Sequence, residues 1–180
     1  MASRQDHQVR QMPPILFTEG ELRPDERAVS VVGSRKASPT GRRFAQQVAE
    51  MLVEFGTTVL AGLAEGIDTA AHSAALAAGG RTVAVLGNGL EHFYPKSNAP
   101  LQRTIAVRGM LLSQFLPDFP PTKWTFPARN AVMSAYGAAT VIVEAGEHSG
   151  TRTQAREAVA HGRAVSLPNG LRCRRHGAQF

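Results

Sequence analysis

The stretch AVSVVGSRKASPTGRRFAQQVAEMLVEFGTTVLA, Ala28–Ala61, decides the fold. It opens on a valine-rich apolar run, Ala28–Gly33, that ends in glycine. Phe44, Val48, Met51, Leu52 and Phe55 then recur at helical spacing. Pro39 suits a helix start and Gly56 a helix stop. Thr57–Ala61 is a second apolar run. A strand that is apolar throughout is buried on both faces. Strand, helix and strand in this order make a parallel crossover.

The same alternation continues outward. Ile67–Ala78 is alanine-rich and helical, closed by Gly79-Gly80. Thr82–Leu86 is a third strand, followed by a long loop, Gly87–Asn98, and a helix to Val107. Met110–Ser113 is a fourth strand, Pro117–Pro121 a loop and Ala128–Ala138 a helix. Thr140–Glu144, Thr151–His161 and Ala164–Leu167 complete the pattern as strand, helix and strand. Upstream, Ile15–Phe17 after Pro13-Pro14 reads as an edge strand, where proline is tolerated. The alternation is unbroken over residues 28–168 and predicts an α/β fold, a parallel sheet with helices on both faces. Residues 1–12 read as a disordered start, residues 13–170 as one domain, and residues 171–180 as a basic tail. Arg172, Arg174 and Arg175 in that tail suit a frayed end or an anion contact.

Composition bounds the function. With 180 residues, 43% hydrophobic and 19% charged, the chain is one globular domain's worth. No run of about 18 apolar residues predicts a membrane span, and Met1–Met12 has no apolar signal core. The sole cysteine, Cys173, excludes an internal disulfide and a cysteine-based zinc site. The six histidines (His7, His72, His92, His148, His161, His176) lack metal-motif spacing, so no metal or cofactor is expected. A cytoplasmic protein is the expectation. The net charge of +6 comes from 20 basic residues, of which only Lys36, Lys96 and Lys123 are lysines. Arginine's flat fork suits phosphate, so the excess fits a polyanion partner; an arginine-rich solvated surface accounts for it equally well.

The unusual residues follow strand ends. Gly33-Ser34-Arg35-Lys36 comes after the first strand, Gly62–Asp68 after the second and Gly87-Asn88-Gly89 after the third. Phe126–Asn130 lies beyond the fourth, and Gly146–Thr151 follows the fifth. In an open parallel sheet these turns share one edge, where ligands bind. Glycine admits close approach to backbone N–H groups, and the following helix adds a positive end. For Ser149-Gly150-Thr151 plain N-capping is an equal account. Tyr94, Trp124 and Phe126 are placed in the long loops of this edge, with Lys123 and Arg129 beside the latter two. Rings and cations together are how single strands are gripped. Packing of rings onto the sheet is the competing account, favoured for Trp124 over Phe126.

Enzyme motifs do not match. GxxxxGK[ST] is absent, the first turn lacks G-x-G-x-x-G, and GxSxG is absent. Asp68 and His72 stand four apart on one helix. A helix-start carboxylate and a locally bonded histidine explain them better than a catalytic pair. Glu144 reads as a base or as an ordinary strand-end carboxylate.

Five separated motifs together resemble the DprA/Smf family of DNA-processing proteins. They are VVGSRKASPTG (Val31–Gly41), AGLAEGIDTAAH (Ala61–His72), GGRTVAVLGNGLEHFYPKSN (Gly79–Asn98), FPARN (Phe126–Asn130) and EAGEHSGTRTQAREAVAHGRAV (Glu144–Val165), and PPILFTEGEL fits the family's lead-in. The resemblance implies an extended Rossmann-like fold with a doubly wound, mostly parallel sheet. It implies single-stranded DNA binding and loading of a RecA-type recombinase during natural transformation or recombination. It further implies a homodimer and no enzymatic activity. The DNA pocket would use the arginine of the GSR motif, Arg35, with Lys36 beside it. Lys123, Phe126, Arg129 and Asn130 would lie in a loop at the strand. Gly33, Ser34, Gly62, Asn88, Gly89, Ser149, Gly150 and Thr151 would complete it with backbone and hydroxyl donors.

Many members carry a helical domain before this unit and a winged-helix domain after it, so the expectation here is a minimal or truncated member. The wider superfamily includes LOG phosphoribohydrolases, whose last helix opens with GGxGTxxE. Here the stretch reads SGTRTQ, with Gln154 in the place of the catalytic glutamate. An amide cannot take a proton as a carboxylate does. Nucleotide binding without turnover is therefore the alternative to DNA binding.

Overall fold

The computed structural model describes residues 13–145 and 150–167. The disordered start expected at 1–12, the tail at 171–180, Ser149 and Cys173 all lie outside the described residues. Seven strands form one sheet: β1 (Phe17–Gly20), β2 (Ala28–Gly33), β3 (Thr58–Ala61), β4 (Thr82–Val85), β5 (Met110–Ser113), β6 (Ala139–Glu144) and β7 (Ala164–Ser166). Five helices connect them: α1 (Pro39–Glu54), α2 (Ile67–Ala77), α3 (Ala99–Arg108), α4 (Thr125–Tyr136) and α5 (Thr151–Ala160). The spatial order is β1-β5-β4-β3-β2-β6-β7. Every neighbouring pair is parallel except β1 with β5. The expected doubly wound α/β fold is what forms. Among the described residues no helix is long and apolar enough to cross a membrane.

The two faces follow from alternation along the strands. Val31, Val59 and Val143 point to one face, where they meet the alanine-rich α1 and α2: Ala45, Val48, Ala49, Ala70, Ala71, Ala74 and Ala75. Small side chains let these two helices approach each other and the sheet closely. Leu76, Ala84, Leu86, Ile105 and Leu111 form a second cluster around α3. Val32, Leu60, Val83 and Ile142 point to the opposite face, against Val132 and Met133 of α4. The winding reverses between β2 and β6, so a crevice opens there beyond the strands' carboxyl ends.

Two boundaries differ from the sequence expectation. The edge strand is Phe17–Gly20 instead of Ile15–Phe17, paired from Phe17↔Ser113 to Gly20↔Met110. Ile15 stays exposed. Helix α4 begins at Thr125, not Ala128. Pro127 falls in its first turn, where no intrahelical N–H is needed. Phe126 therefore stands on the same helix as Arg129 and Asn130 and not in the loop before it.

Candidate nucleic-acid interface

The crevice at the switch point is a groove of about 810 Å³. Its lining includes Gly33, Ser34, Arg35 and Lys36 from the β2–α1 turn. Lys123, Phe126, Arg129 and Asn130 come from the start of α4, and Gly150 and Thr151 from the start of α5. A smaller recess beside it is lined by Gly62, Asn88, Tyr94 and Phe126 among others. Thirteen of the fourteen expected site residues lie in the described region, and twelve of them line one or other of these two cavities.

Gly89 is the exception. Its N–H donates to Phe119 O at 2.8 Å, and an added Cβ would stand 2.0 Å from Leu116 O. Asn88 lines the recess, yet its amide is committed to Gly89 O and His92 O, both at 2.9 Å. Gly89 thus holds the loop after β5, and the Asn88 amide holds its own loop after β4, so neither the Gly89 N–H nor the Asn88 amide is free to donate to a ligand.

Other glycines of the edge are also bare for the protein's own sake. A Cβ on Gly62 would stand 1.2 Å from Arg129 Nη1. One on Gly33 would meet Ile67 at 2.5 Å, and one on Gly87 would meet the Phe126 ring at 2.6 Å. Only at Gly150, of the expected site glycines, does nothing among the described residues lie within 4 Å of an added Cβ.

Arg129 is the main correction among the cations. It was expected to grip phosphate, but it is buried, 6% exposed, with Nη1 donating to Val85 O at 3.1 Å. Burial pulls its pKa below the ordinary arginine value. The nearby Asp68 charge opposes that, and Arg35 adds to it. Asp68 sits in the first turn of α2, where Oδ2 accepts from Gly62 N at 2.9 Å and Ala64 N at 3.4 Å. Burial pushes the Asp68 carboxyl up, against the pull of Arg129 and these two amides. Arg35, Lys36 and Lys123 are exposed and, among the described residues, form no ion pair. The Arg35 guanidinium lies 5.2 Å from the centroid of the Phe126 ring, within cation–π range. Tyr94 adds a second ring, its centroid 5.4 Å from that of Phe126.

The candidate catalytic carboxylates and histidine are tied up. Glu144 accepts from Ser38 Oγ at 2.8 Å and Ser38 N at 3.1 Å. Ser38 is the N-cap of α1, so the helix end that binds pyrophosphate in dinucleotide folds already holds an anion of the chain's own. His72 does not meet Asp68. Its Nδ1 lies 2.6 Å from Thr82 Oγ1, whose hydroxyl donates to Val59 O at 2.7 Å. Thr82 must therefore accept, which fixes the proton on Nδ1. Burial pulls the His72 pKa down to about 3, with the Arg129 charge adding to it, so the ring is neutral.

Gln154 is a groove residue that was noted only for what it replaces. It is 1% exposed, and neither amide atom has a hydrogen-bond partner. Gln154 lines the groove but was missing from the expected set, and Tyr94, placed at this edge as a ring, was not counted among the pocket residues. Tyr94's aromatic character in a strand-end loop was the available signal; for Gln154, helix-start position alone was not one. Among the described residues no cluster of His, Cys, Asp and Glu gathers to hold a metal.

A doubly wound sheet with an open, cation-rimmed crevice at its switch point defines a Rossmann-like α/β protein. The sequence profile described as DNA recombination-mediator protein A matches residues 3–177, and the chain belongs to that family. Protein Smf of Synechocystis sp. is 39% identical over 163 residues, covering 87% of this chain and 41% of its own. The X-ray structure of DNA processing protein A (DprA) from Streptococcus pneumoniae superposes with a TM-score of 0.86 at 37% identity. That match covers 93% of this chain and 60% of the other. DNA processing protein A from Helicobacter pylori, solved for its single-stranded DNA binding mode, gives 0.82 at 26% identity, covering 93% and 78%. The chain spans about half the length of the curated relatives it matches.

Proposed function

We propose that this chain binds single-stranded DNA along the carboxyl edge of its sheet, in the cytoplasm, and serves to pass it to a RecA-type recombinase in DNA uptake or recombination. The observation that carries the reading is the groove itself. Three cations without ion-pair partners among the described residues, Arg35, Lys36 and Lys123, rim a crevice that contains an aromatic ring, Phe126. A phosphate chain satisfies such cations, and a base stacks on such a ring without regard to sequence. Gly150, open at the start of α5, leaves a helix end for one more phosphate. Arg129 supplies a buried positive floor, and Ser34 and Asn130 supply polar contacts.

The Helicobacter relative solved for single-stranded DNA binding supports the same ligand class. A nucleotide-binding role in the dinucleotide manner is the weaker reading, because Glu144 fills the α1 end that such a pyrophosphate would take. The absence of a free carboxylate at Gln154 favours binding over bond breaking. A homodimer is the working form this reading takes, as the resemblance of the sequence motifs implies.

The test is a salt titration of binding to labelled oligo-dT, with a duplex control. The log–log slope is expected to be about −0.7 per phosphate neutralised. Arg35→Glu is expected to weaken binding at least about 10-fold, the cost of losing one charge-assisted phosphate bond. Unchanged affinity in that variant overturns the site.

A further inference from the structure

We propose that Trp124 is a second base-stacking platform, one that takes the strand as it leaves the groove past Lys123. This rests on the reading that the groove binds single-stranded DNA and extends its reach. Trp124 is the only tryptophan of the chain and stands 58% exposed at the N-cap of α4. It is not loose. Its ring packs nearly perpendicular to Phe115 (centroids 5.5 Å, 79°) and to Phe119 (5.8 Å, 74°). Those two rings stack on each other at 5.4 Å.

The brace is itself anchored to the sheet. Phe115 N donates to Ser113 Oγ at 3.1 Å, and Ser113 Oγ donates to Asn88 O at 2.7 Å. Phe119 O receives the Gly89 N–H. On the other side the Thr125 hydroxyl donates to Gly87 O. Asn88 and Gly89 thus act as the mount of an aromatic bracket and not as phosphate donors.

A large ring held rigidly in water has lost its side-chain entropy before any partner arrives, which is what a stacking contact needs. Charge chooses the partner. Lys123, the preceding residue, is exposed and lines the groove, so a polyanion crossing it is led from Phe126 toward Trp124. A stable protein interface needs about 800 Å² on each side, whereas one braced ring beside a cation matches one base and its phosphate.

Because Trp124 is alone, tryptophan emission reports this ring. The experiment titrates the full chain with labelled oligo-dT, following emission and label anisotropy together. The wild type is expected to show emission quenching that saturates with the anisotropy. Trp124→Leu is expected to bind about 5- to 10-fold more weakly, the lower part of the range for one stacked base. Trp124→Phe, which keeps a π face and the brace, is expected to recover most of that affinity. Thermal unfolding of both variants separates loss of contact from loss of fold. Binding by anisotropy with unchanged emission and an unaffected Trp124→Leu overturns the proposal and leaves the DNA reading standing. A Trp124→Leu variant that changes self-association but not DNA affinity also overturns it, since the ring then belongs to a protein interface. No binding by any wild-type signal overturns both.

Discussion

The two ends of the sheet treat charge in opposite ways. At the amino-terminal end, Glu26 accepts from Arg81 Nε, from Thr58 Oγ1 at 2.7 Å and from the Tyr136 hydroxyl. The side chains of Glu26 and Arg81 are only 5% and 9% exposed. Burial pushes the Glu26 carboxyl up, but the hydrogen bonds from Arg81, Tyr136 and Thr58 outweigh it and hold the carboxyl below its usual range. Burial, with the bond to Glu26, pushes the Tyr136 hydroxyl up. The segment before β2, strand β3, the approach to β4 and the end of α4 are thereby tied to one carboxylate. At the carboxyl-terminal end the exposed cations Arg35, Lys36 and Lys123 have no acidic partner among the described residues. The first arrangement spends its charges on the fold. The second keeps them for something outside it.

The largest effect is expected at Arg129, the one cation of the open end that is buried. Arg129→Met removes the charge facing Asp68 and the filling over Gly62. Asp68 keeps its bonds from Gly62 N and Ala64 N but loses the nearby positive charge, and the space over Gly62 is emptied; the expected cost is about 3 kcal/mol, read by denaturant unfolding. A variant as stable as the wild type would make Arg129 a binding residue rather than a structural one.

Glu26→Gln tests the closed end. It keeps the shape but removes the charge, leaving Arg81 with the exposed Glu21 at 3.6 Å as its nearby acid. The expected loss is about 2–3 kcal/mol, with oligo-dT affinity unchanged for the molecules still folded. Because the Glu26 pKa is depressed by folding, its contribution is present above the ordinary carboxylate range and disappears as pH falls through the depressed value.

This contrast was only half legible in the sequence. The sheet, its faces and the edge that carries the site follow from apolar runs such as Val29–Val32 and Val83–Val85, and from the glycines Gly33, Gly62, Gly87 and Gly146 at four strand ends. Local pattern decides those. The roles of individual residues do not follow from it. Arg129 and Arg35 both read as free cations, because nothing in FPARN says that α4 starts at Thr125 and turns Arg129 under the groove. The glycines read as phosphate cradles, because the Arg129 and Phe126 side chains that fill Gly62 and Gly87 lie far along the chain. Glu26, Arg81 and Tyr136 lie up to 110 residues apart and formed no motif.

His72 offers a smaller effect, separable by pH. Its pKa, about 6.5 unfolded, falls to about 3 in the fold. Between these values the unfolded chain binds a proton that the native state refuses, so stability declines as pH falls below about 6.5. The slope from this group reaches at most about 1.4 kcal/mol per pH unit and vanishes near pH 3. His72→Gln is expected to unfold more easily at neutral pH yet with a shallower decline across that window. Parallel curves for the two proteins would mean that His72 is protonated in the native state.

The smallest change in stability is expected where the change in binding is greatest, at the double variant Arg35→Glu, Lys123→Glu. Arg35 gives up a cation–π contact with Phe126, worth about 0.5–1 kcal/mol at an exposed site. Against this, the Arg35 charge repels the buried Arg129 guanidinium, and a carboxylate in its place attracts it. Lys123 is exposed and has no ion pair among the described residues to lose. The terms oppose, so the unfolding free energy is expected to stay within about 1 kcal/mol of the wild type. Oligo-dT binding, by contrast, falls below detection at moderate salt. If the variant instead unfolds as readily as Glu26→Gln, the open end is held together by these charges as the closed end is, and the division between the two ends fails. If it stays folded, the wild-type edge carries repulsion that folding alone does not require, which a bound polyanion would relieve.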